Sequence, residues 1–253
     1  MTQKNTKKVD WYYLIDALRG LALLNMLAFH FMYDACIIFG KDPSWYRSPF
    51  VQAWQQYICI SFIFISGISW HFSKNNIKRG LQLNLYGFAV TAVTLIFLPS
   101  QAVWFGILNF IGCATLIMSL VERFLRGRSA AAGLILSVLL FLLSYGVPEG
   151  YLSFGPLWQL PLPRWLYEAR IFTFLGLPWN GFYSSDFFPL LPWFFLFMSG
   201  YWFWELVCQK DRLRSIFRTR IPLLSSIGAG TIWIYLIHQP VLYFVSCLLF
   251  GRQ

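Results

Sequence analysis

Long apolar stretches alternate with short polar loops along the whole chain. Seven of them have about the length of 17–25 residues that one helix needs to cross a bilayer. They cover residues 14–39, 53–73, 81–98, 102–122, 130–146, 188–208 and 223–250. The pattern predicts an all-α fold, a polytopic transmembrane helical bundle of about seven spans that forms a single domain over residues 1–253.

One connection is much longer than the others. Residues 147–187 are rich in proline, glycine and aromatic residues and contain no apolar run of spanning length. Within them, Arg164 to Leu175 is predicted as a short interfacial helix. Long loops of this kind are often functional, so both a plain cap over the helices and a substrate-binding lid are compatible with this segment.

Basic residues gather at one set of span ends. Fourteen of the twenty lie there: Lys4, Lys7, Lys8, Lys74, Lys78, Arg79, Arg123, Arg126, Arg128, Lys210, Arg212, Arg214, Arg218 and Arg220. Five lie at the opposite ends: Lys41, Arg47, Arg164, Arg170 and Arg252. The positive-inside rule then predicts a cytoplasmic N-terminus and an outside C-terminus. The net charge of +10 is thereby explained by topology, so no nucleic-acid partner is expected.

The composition supports a membrane protein. Only 12% of the residues are charged and 58% are hydrophobic, whereas about 25% are charged in a typical soluble domain. The five cysteines show no metal-ligand or redox spacing, and no phosphate loop, zinc signature or nucleophile elbow is present. No metal is expected, and any catalysis must come from polar residues within the spans.

The first span carries such residues on one face. Arg19 and His30 are eleven positions apart, which at ~100° per residue places them on one stripe, ~16 Å apart along the helix axis. Asp16 and Asp34 fall on the same stripe. A lone charge at bilayer depth costs at least ~2.5–3.5 kcal/mol, so this stripe predicts a functional site.

Each end of the stripe has a functional and a structural interpretation. Arg19, held by Asp16, is suited to bind the phosphates of a donor that enters from the cytoplasm, or else it snorkels into the headgroups. His30, with Asp34 one turn later, forms a base and its orienting carboxylate, or else it is a buried neutral histidine.

Three polar residues lie in or beside later spans. His238 precedes Pro240, so it either takes part in chemistry or stabilises a helix kink. Asn109 is a buried amide that either contacts a substrate or bonds a neighbouring helix. Asp186 stands where the long loop meets the sixth span, as a helix N-cap or as a group that grips an acceptor.

Several strings of the sequence resemble one family. DALRGLALLNMLAFH, from Asp16 to His30, resembles the first span of the heparan-alpha-glucosaminide N-acetyltransferase catalytic-domain family. RSPF, FIFISGIS, WFGILNFIG, DFFPLLPW and IYLIHQP follow in the order of its bacterial branch. The spacing of arginine, ten residues and histidine is also similar to that of the type-three membrane acyltransferases.

The resemblance implies a transmembrane acetyltransferase with acetyl-CoA as co-substrate. Acetyl-CoA is expected on the cytoplasmic side, and an amine or hydroxyl of a sugar or glycan on the far side accepts the acetyl group. Pocket candidates are Trp104, Asn109, Asp186, Trp193 and His238. The family often has histidine or glutamine at the position of Asn109, so an acid–base role there does not carry over.

Two other functions remain open at the level of sequence. A small-solute transporter can use the same polar stripe, although no inverted repeat is evident, and an inactive scaffold can keep the fold. The chain has no N-x-S/T sequon, which favours a bacterial inner membrane over a eukaryotic lumen. The sequence identifies neither the acceptor nor the oligomeric state.

Overall fold

The structure, a computed structural model, describes residues 11–155 and 157–251. Its helices are α1 (Tyr13–Tyr33), α2 (Pro43–Tyr46), α3 (Pro49–Ser69), α4 (Asn76–Phe97), α5 (Ile107–Leu125), α6 (Ala130–Ser144), α7 (Leu190–Cys208), α8 (Asp211–Ile216), α9 (Pro222–Ala229) and α10 (Thr231–Phe250). Seven helical segments are long and apolar enough to cross a membrane, which confirms the predicted all-α multi-span fold. Four basic residues used in the topology prediction lie outside the described residues: Lys4, Lys7, Lys8 and Arg252.

The first and last spans differ in detail from the prediction. After α1 the helix widens into a π turn, Asp34–Ile38, which ends the first span. The predicted seventh span, 223–250, is divided into α9 and α10 at Gly230. Glycine is a poor helix former, and the Thr231 hydroxyl donates to the carbonyl of Gly228 at 2.7 Å, so the chain breaks here.

The described residues pack as two units, and the first contains the residues up to Ser61 and from Val207 onward. In it, α1 lies along α9 and also contacts α10. The helices touch at glycine: a methyl group on Gly20 would collide with the carbonyl oxygen of Leu224, and one on Gly228 with that of Asp16. Small residues let helix backbones approach closely in a membrane, and this contact fixes α1 against α9.

In the second unit, Phe62–Leu206, glycine also lies at the contacts of two helix pairs. In α3 and α7, a methyl group on Gly67 would meet the carbonyl oxygen of Phe197, and one on Gly200 that of Phe64. In α4 and α5, Gly87 makes room for the side chain of Asn109, which a methyl group there would strike. The first pair is therefore held at backbone distance, and in the second the glycine accommodates an amide side chain.

The long connection of the second unit is ordered by short elements. Strands β1 (Tyr151–Ser153) and β2 (Gln159–Pro161) form an antiparallel hairpin in which Leu152 faces Leu160. The region predicted as one short interfacial helix forms two 3₁₀ turns instead, Arg164–Tyr167 and Arg170–Leu175. The chain leaves the helical conformation between them, where Ala169 is extended.

Candidate functional site

The polar stripe predicted on the first span lies in the first unit. Asp16 and Arg19 lie in the first two turns of α1, and His30 lies in its last turn. Asp34 begins the π turn that follows. Because π turns often occur at functional sites, the π turn at Asp34 marks this end of the helix as a candidate site.

At the beginning of α1, Arg19 is held in place by its neighbours. Its Nη1 donates to Asp16 Oδ1 at 2.7 Å and lies 3.5 Å from the carbonyl oxygen of Gly228. The second carboxylate oxygen of Asp16 accepts from the indole of Trp11 at 3.1 Å. The side chain of Arg19 keeps 24% of its surface exposed, so these contacts orient a side chain that is only partly buried.

At the other end of α1, two imidazoles meet. The rings of His30 and His238 lie 4.8 Å apart between centroids, edge to face. Nδ1 of His238 lies 2.5 Å from the carbonyl oxygen of Tyr235. A carbonyl only accepts hydrogen bonds, so Nδ1 carries the hydrogen and Nε2 of His238 presents a lone pair.

Asp34 is paired with α10 rather than with His30. The amide nitrogen of Gln239 donates to Asp34 Oδ1 at 2.9 Å, and Asp34 is fully buried. The backbone N–H of Asp34 donates to the carbonyl oxygen of His30, as in an ordinary helix turn, but among the described residues no hydrogen bond joins the Asp34 carboxylate to the His30 imidazole. The orienting role predicted for Asp34 therefore stays a prediction, and the structure gives this carboxylate a different partner.

Three buried atoms of this group have no hydrogen-bond partner in the described structure: Oδ2 of Asp34, Oε1 of Gln239 and Nε2 of His238. His238 is 8% exposed. Buried polar atoms are nearly always hydrogen-bonded, so these three atoms are available to bind a ligand or ordered water.

Asn109 lies in the second unit and takes part in helix packing. Its side chain lies against Gly87, and its amide donates to the carbonyl oxygen of Asn84 at 3.4 Å. Asn84 in turn donates to Gly80 and accepts from the thiol of Cys113. This geometry matches the structural interpretation, an amide that bonds a neighbouring helix.

Trp104 and Asp186 lie where two loops of the second unit are joined. The hydroxyl of Ser184 accepts from the backbone nitrogen of Trp104 and donates to its carbonyl oxygen, both at 2.9 Å. Asp186 Oδ2 accepts from the backbone nitrogen of Ile107 at 3.3 Å, so it caps α5 rather than the helix that follows it. Burial raises the pKa of the Asp186 carboxyl to about 6, and the bond from Ile107 opposes this shift.

Trp193 is part of an aromatic cluster in the second unit. It is buried and contacts Phe141, Tyr145 and Phe188 with ring centroids 5.3–6.4 Å apart. The indole of Trp104, by contrast, keeps 41% of its surface exposed. Trp193 thus stabilises the packing of α6 against α7, whereas Trp104 remains available for a ligand.

One protein-family model matches most of this chain. The family model for the catalytic region of heparan-alpha-glucosaminide N-acetyltransferase matches residues 12–240. The chain belongs to this family. No curated protein and no solved structure matches it.

Membership in this family makes the chain a transmembrane acetyltransferase. The matched region, residues 12–240, ends at Pro240 and includes the polar groups of α1 together with His238 and Gln239. Family membership favours an acetyltransferase over the small-solute transporter that the sequence left open. No group of three or more His, Cys, Asp or Glu side chains is placed to hold a metal ion among the described residues.

Sequence reasoning missed one member of the candidate site. Gln239 stands beside His238 in the string IYLIHQP, in an otherwise apolar helix. An uncharged amide in such a helix is a weaker signal of function than a charge. Its partner, Asp34, is 205 positions away, so no local spacing links the two.

Proposed function

We propose that this acetyltransferase moves an acetyl group from cytoplasmic acetyl-CoA to an amine or hydroxyl of an extracytoplasmic sugar. Family membership supports the transfer of an acetyl group. One helix carries both candidate ends, since Arg19 and His30 lie about 16 Å apart along α1. In this proposal the donor binds at Arg19 and the acceptor at His30.

The donor end suits a phosphorylated molecule. A guanidinium binds phosphate with paired, charge-assisted hydrogen bonds, and the ion pair with Asp16 orients Arg19 for that contact. The basic residues at the same predicted side of the membrane favour the approach of an anionic donor. These features support binding of the CoA moiety from the cytoplasm, in a bacterial inner membrane.

The acceptor end suits proton transfer. The new bond joins the acceptor nitrogen or oxygen to the acetyl carbonyl carbon, and the carbon–sulfur bond of the thioester breaks. His30 takes the proton that the acceptor loses and returns it to the departing thiolate, which leaves as CoA–SH. Direct transfer and transfer through an acetyl-histidine use this same imidazole.

The observation that carries the proposal is the buried contact of His30 with His238 in a chain of this family. The test measures transfer from radiolabelled acetyl-CoA to cell-envelope glycan by protein reconstituted in lipid nanodiscs. We expect His30→Ala to lower turnover by about 10²–10⁴-fold, the usual contribution of a general base.

Controls separate chemistry from folding. His30→Ala is expected to keep the affinity for CoA and the thermal stability of the wild type, because the donor end lies far along α1. If the variant keeps more than about a tenth of wild-type turnover, well above the general-base range, His30 is not the base. His238, whose Nε2 presents a lone pair, would then take its place.

A further inference from the structure

Two polar residues at the predicted outer end of α1 contact two polar residues of α10. His30 meets His238, and Asp34 meets Gln239. His30 and Asp34 are four residues apart in the chain, a rise of ~6 Å along a helix, and His238 and Gln239 are consecutive on α10. The two contacts are therefore adjacent and form one cluster, the α1–α10 polar cluster.

The three buried atoms of this cluster that lack a hydrogen-bond partner among the described residues are all acceptors. Asp34 Oδ2 belongs to a carboxylate, and Nε2 of His238 presents a lone pair. The amide of Gln239 turns its nitrogen to Asp34, since a carboxylate only accepts, and this leaves Oε1 as the unpartnered atom. The cluster thus offers three buried acceptors.

We propose that Asp34, Gln239 and His238 form a subsite that binds the hydrogen-bond-donating group of the acceptor, with Gln239 as a specificity-determining residue. An amine or a sugar hydroxyl supplies the N–H or O–H groups that the three atoms lack. Asp34 then binds the acceptor instead of orienting His30. This inference rests on the proposed function, because it names the residues that hold its second substrate.

The chemistry of the cluster gives these buried polar residues a role in ligand binding. A buried acceptor without a partner destabilises the fold, and an apolar residue of similar size would avoid that loss. Binding of a donor group restores the missing hydrogen bonds. The cluster therefore favours an acceptor that presents several donors at once and rejects one that lacks them.

Kinetics separate this role from an orienting role. With D-glucosamine and D-glucose as probe acceptors, we expect Gln239→Leu and Asp34→Asn to raise the KM of the acceptor by about 10- to 100-fold. The KM of acetyl-CoA should stay within about twofold, and kcat at saturating acceptor within about tenfold of the wild type. Gln82→Leu, the same replacement at an exposed position of α4, should change nothing.

Orienting residues give the opposite pattern. If Asp34 holds His30, Asp34→Asn lowers kcat by a much larger factor and leaves the KM of the acceptor unchanged. That pattern overturns the proposal. Turnover of D-glucosamine alone assigns the subsite to an amine, and turnover of D-glucose as well assigns it to hydroxyls.

A second measurement does not depend on the probe sugars. The double variant Asp34→Leu/Gln239→Leu removes both partners of the hydrogen bond, and we expect its melting temperature to equal or exceed that of the wild type. A clear fall would make the pair structural and overturn the proposal, and this result decides alone if neither sugar is turned over. Failure of the wild type to bind CoA at all would instead contradict the proposed function.

Discussion

Arg19 is held between Asp16 of its own helix and the carbonyl oxygen of Gly228 at the end of α9. We expect Arg19→Ala to weaken CoA binding by about 10- to 100-fold, the equivalent of ~1.5–3 kcal/mol for a lost hydrogen bond to a charged group. Titration calorimetry of the detergent-purified protein measures this. Arg19→Lys should recover part of the affinity, because it keeps the charge and loses the planar fork.

His30→Ala is the matched control for Arg19→Ala, since it removes a polar group from the other end of α1. It should bind CoA as the wild type does. Equal affinity of Arg19→Ala and the wild type would remove Arg19 from the donor site.

Asp186 gives the protein a pH-dependent contribution to stability. Because burial raises its pKa to about 6, the folded state binds a proton more tightly than the unfolded state, whose carboxyl has a pKa of 3.8. The contribution is full below the unfolded pKa and is lost as the pH rises through 6. Between pH 5 and pH 8 we expect the free energy of unfolding to fall by ~1 kcal/mol from this group.

Asp186→Asn isolates this contribution, because the amide oxygen can still accept from the backbone nitrogen of Ile107. The difference between the melting temperatures of the wild type and Asp186→Asn should be larger, in favour of the wild type, at pH 5 than at pH 8. A difference that is constant with pH would show that the carboxyl titrates normally.

At the level of the element, the contact of α1 with α9 depends on the absence of side chains. A methyl group on Gly20 meets a backbone carbonyl oxygen, which cannot rotate away as a side chain can. We expect Gly20→Ala to lower the free energy of unfolding by ~1–3 kcal/mol, the usual cost of overpacking. Thermal unfolding in detergent measures the change.

Gly230→Ala provides the comparison, since a methyl group there meets no atom closer than 3.6 Å and its φ is −90°. It should be tolerated. If both substitutions lowered the free energy of unfolding by the same amount, the close approach of α1 and α9 would contribute little to stability.

The spans themselves were predictable, because a membrane imposes one length and one polarity on every crossing helix. The division of the last span at Gly230 and the π turn at Asp34 were not, since a single glycine or a one-residue widening leaves hydropathy almost unchanged. The stripe on α1 followed from helical period alone. Its pairing with Gln239 depends on how α10 packs, which no local pattern encodes.

For the whole molecule, the predicted topology places alternate loops on opposite sides of the membrane. We expect single cysteines at Ser129 and Gln159, introduced into a chain without its native cysteines, to react with a membrane-impermeant maleimide from opposite sides. Ser129 precedes α6 and Gln159 lies in β2, one span away, and both positions are exposed. The fourteen-to-five distribution of basic residues is the physical reason.

In intact cells we expect the maleimide to label only the outside position, and in inverted vesicles only the cytoplasmic position. Labelling of both from the same side would contradict the topology and the entry of the donor from the cytoplasm. In intact cells we expect labelling of the cysteine at position 159 and none of the cysteine at position 129.

The glycine contact between α1 and α9 also bears on how this enzyme can diverge. Main-chain atoms set the spacing at the proposed CoA end, so neighbouring side chains can change without moving Arg19. The other end is set by side chains of α10, which a single substitution alters. Under the proposed function, new acceptor preferences are therefore accessible through a few changes at His238 and Gln239, while the proposed donor end stays intact.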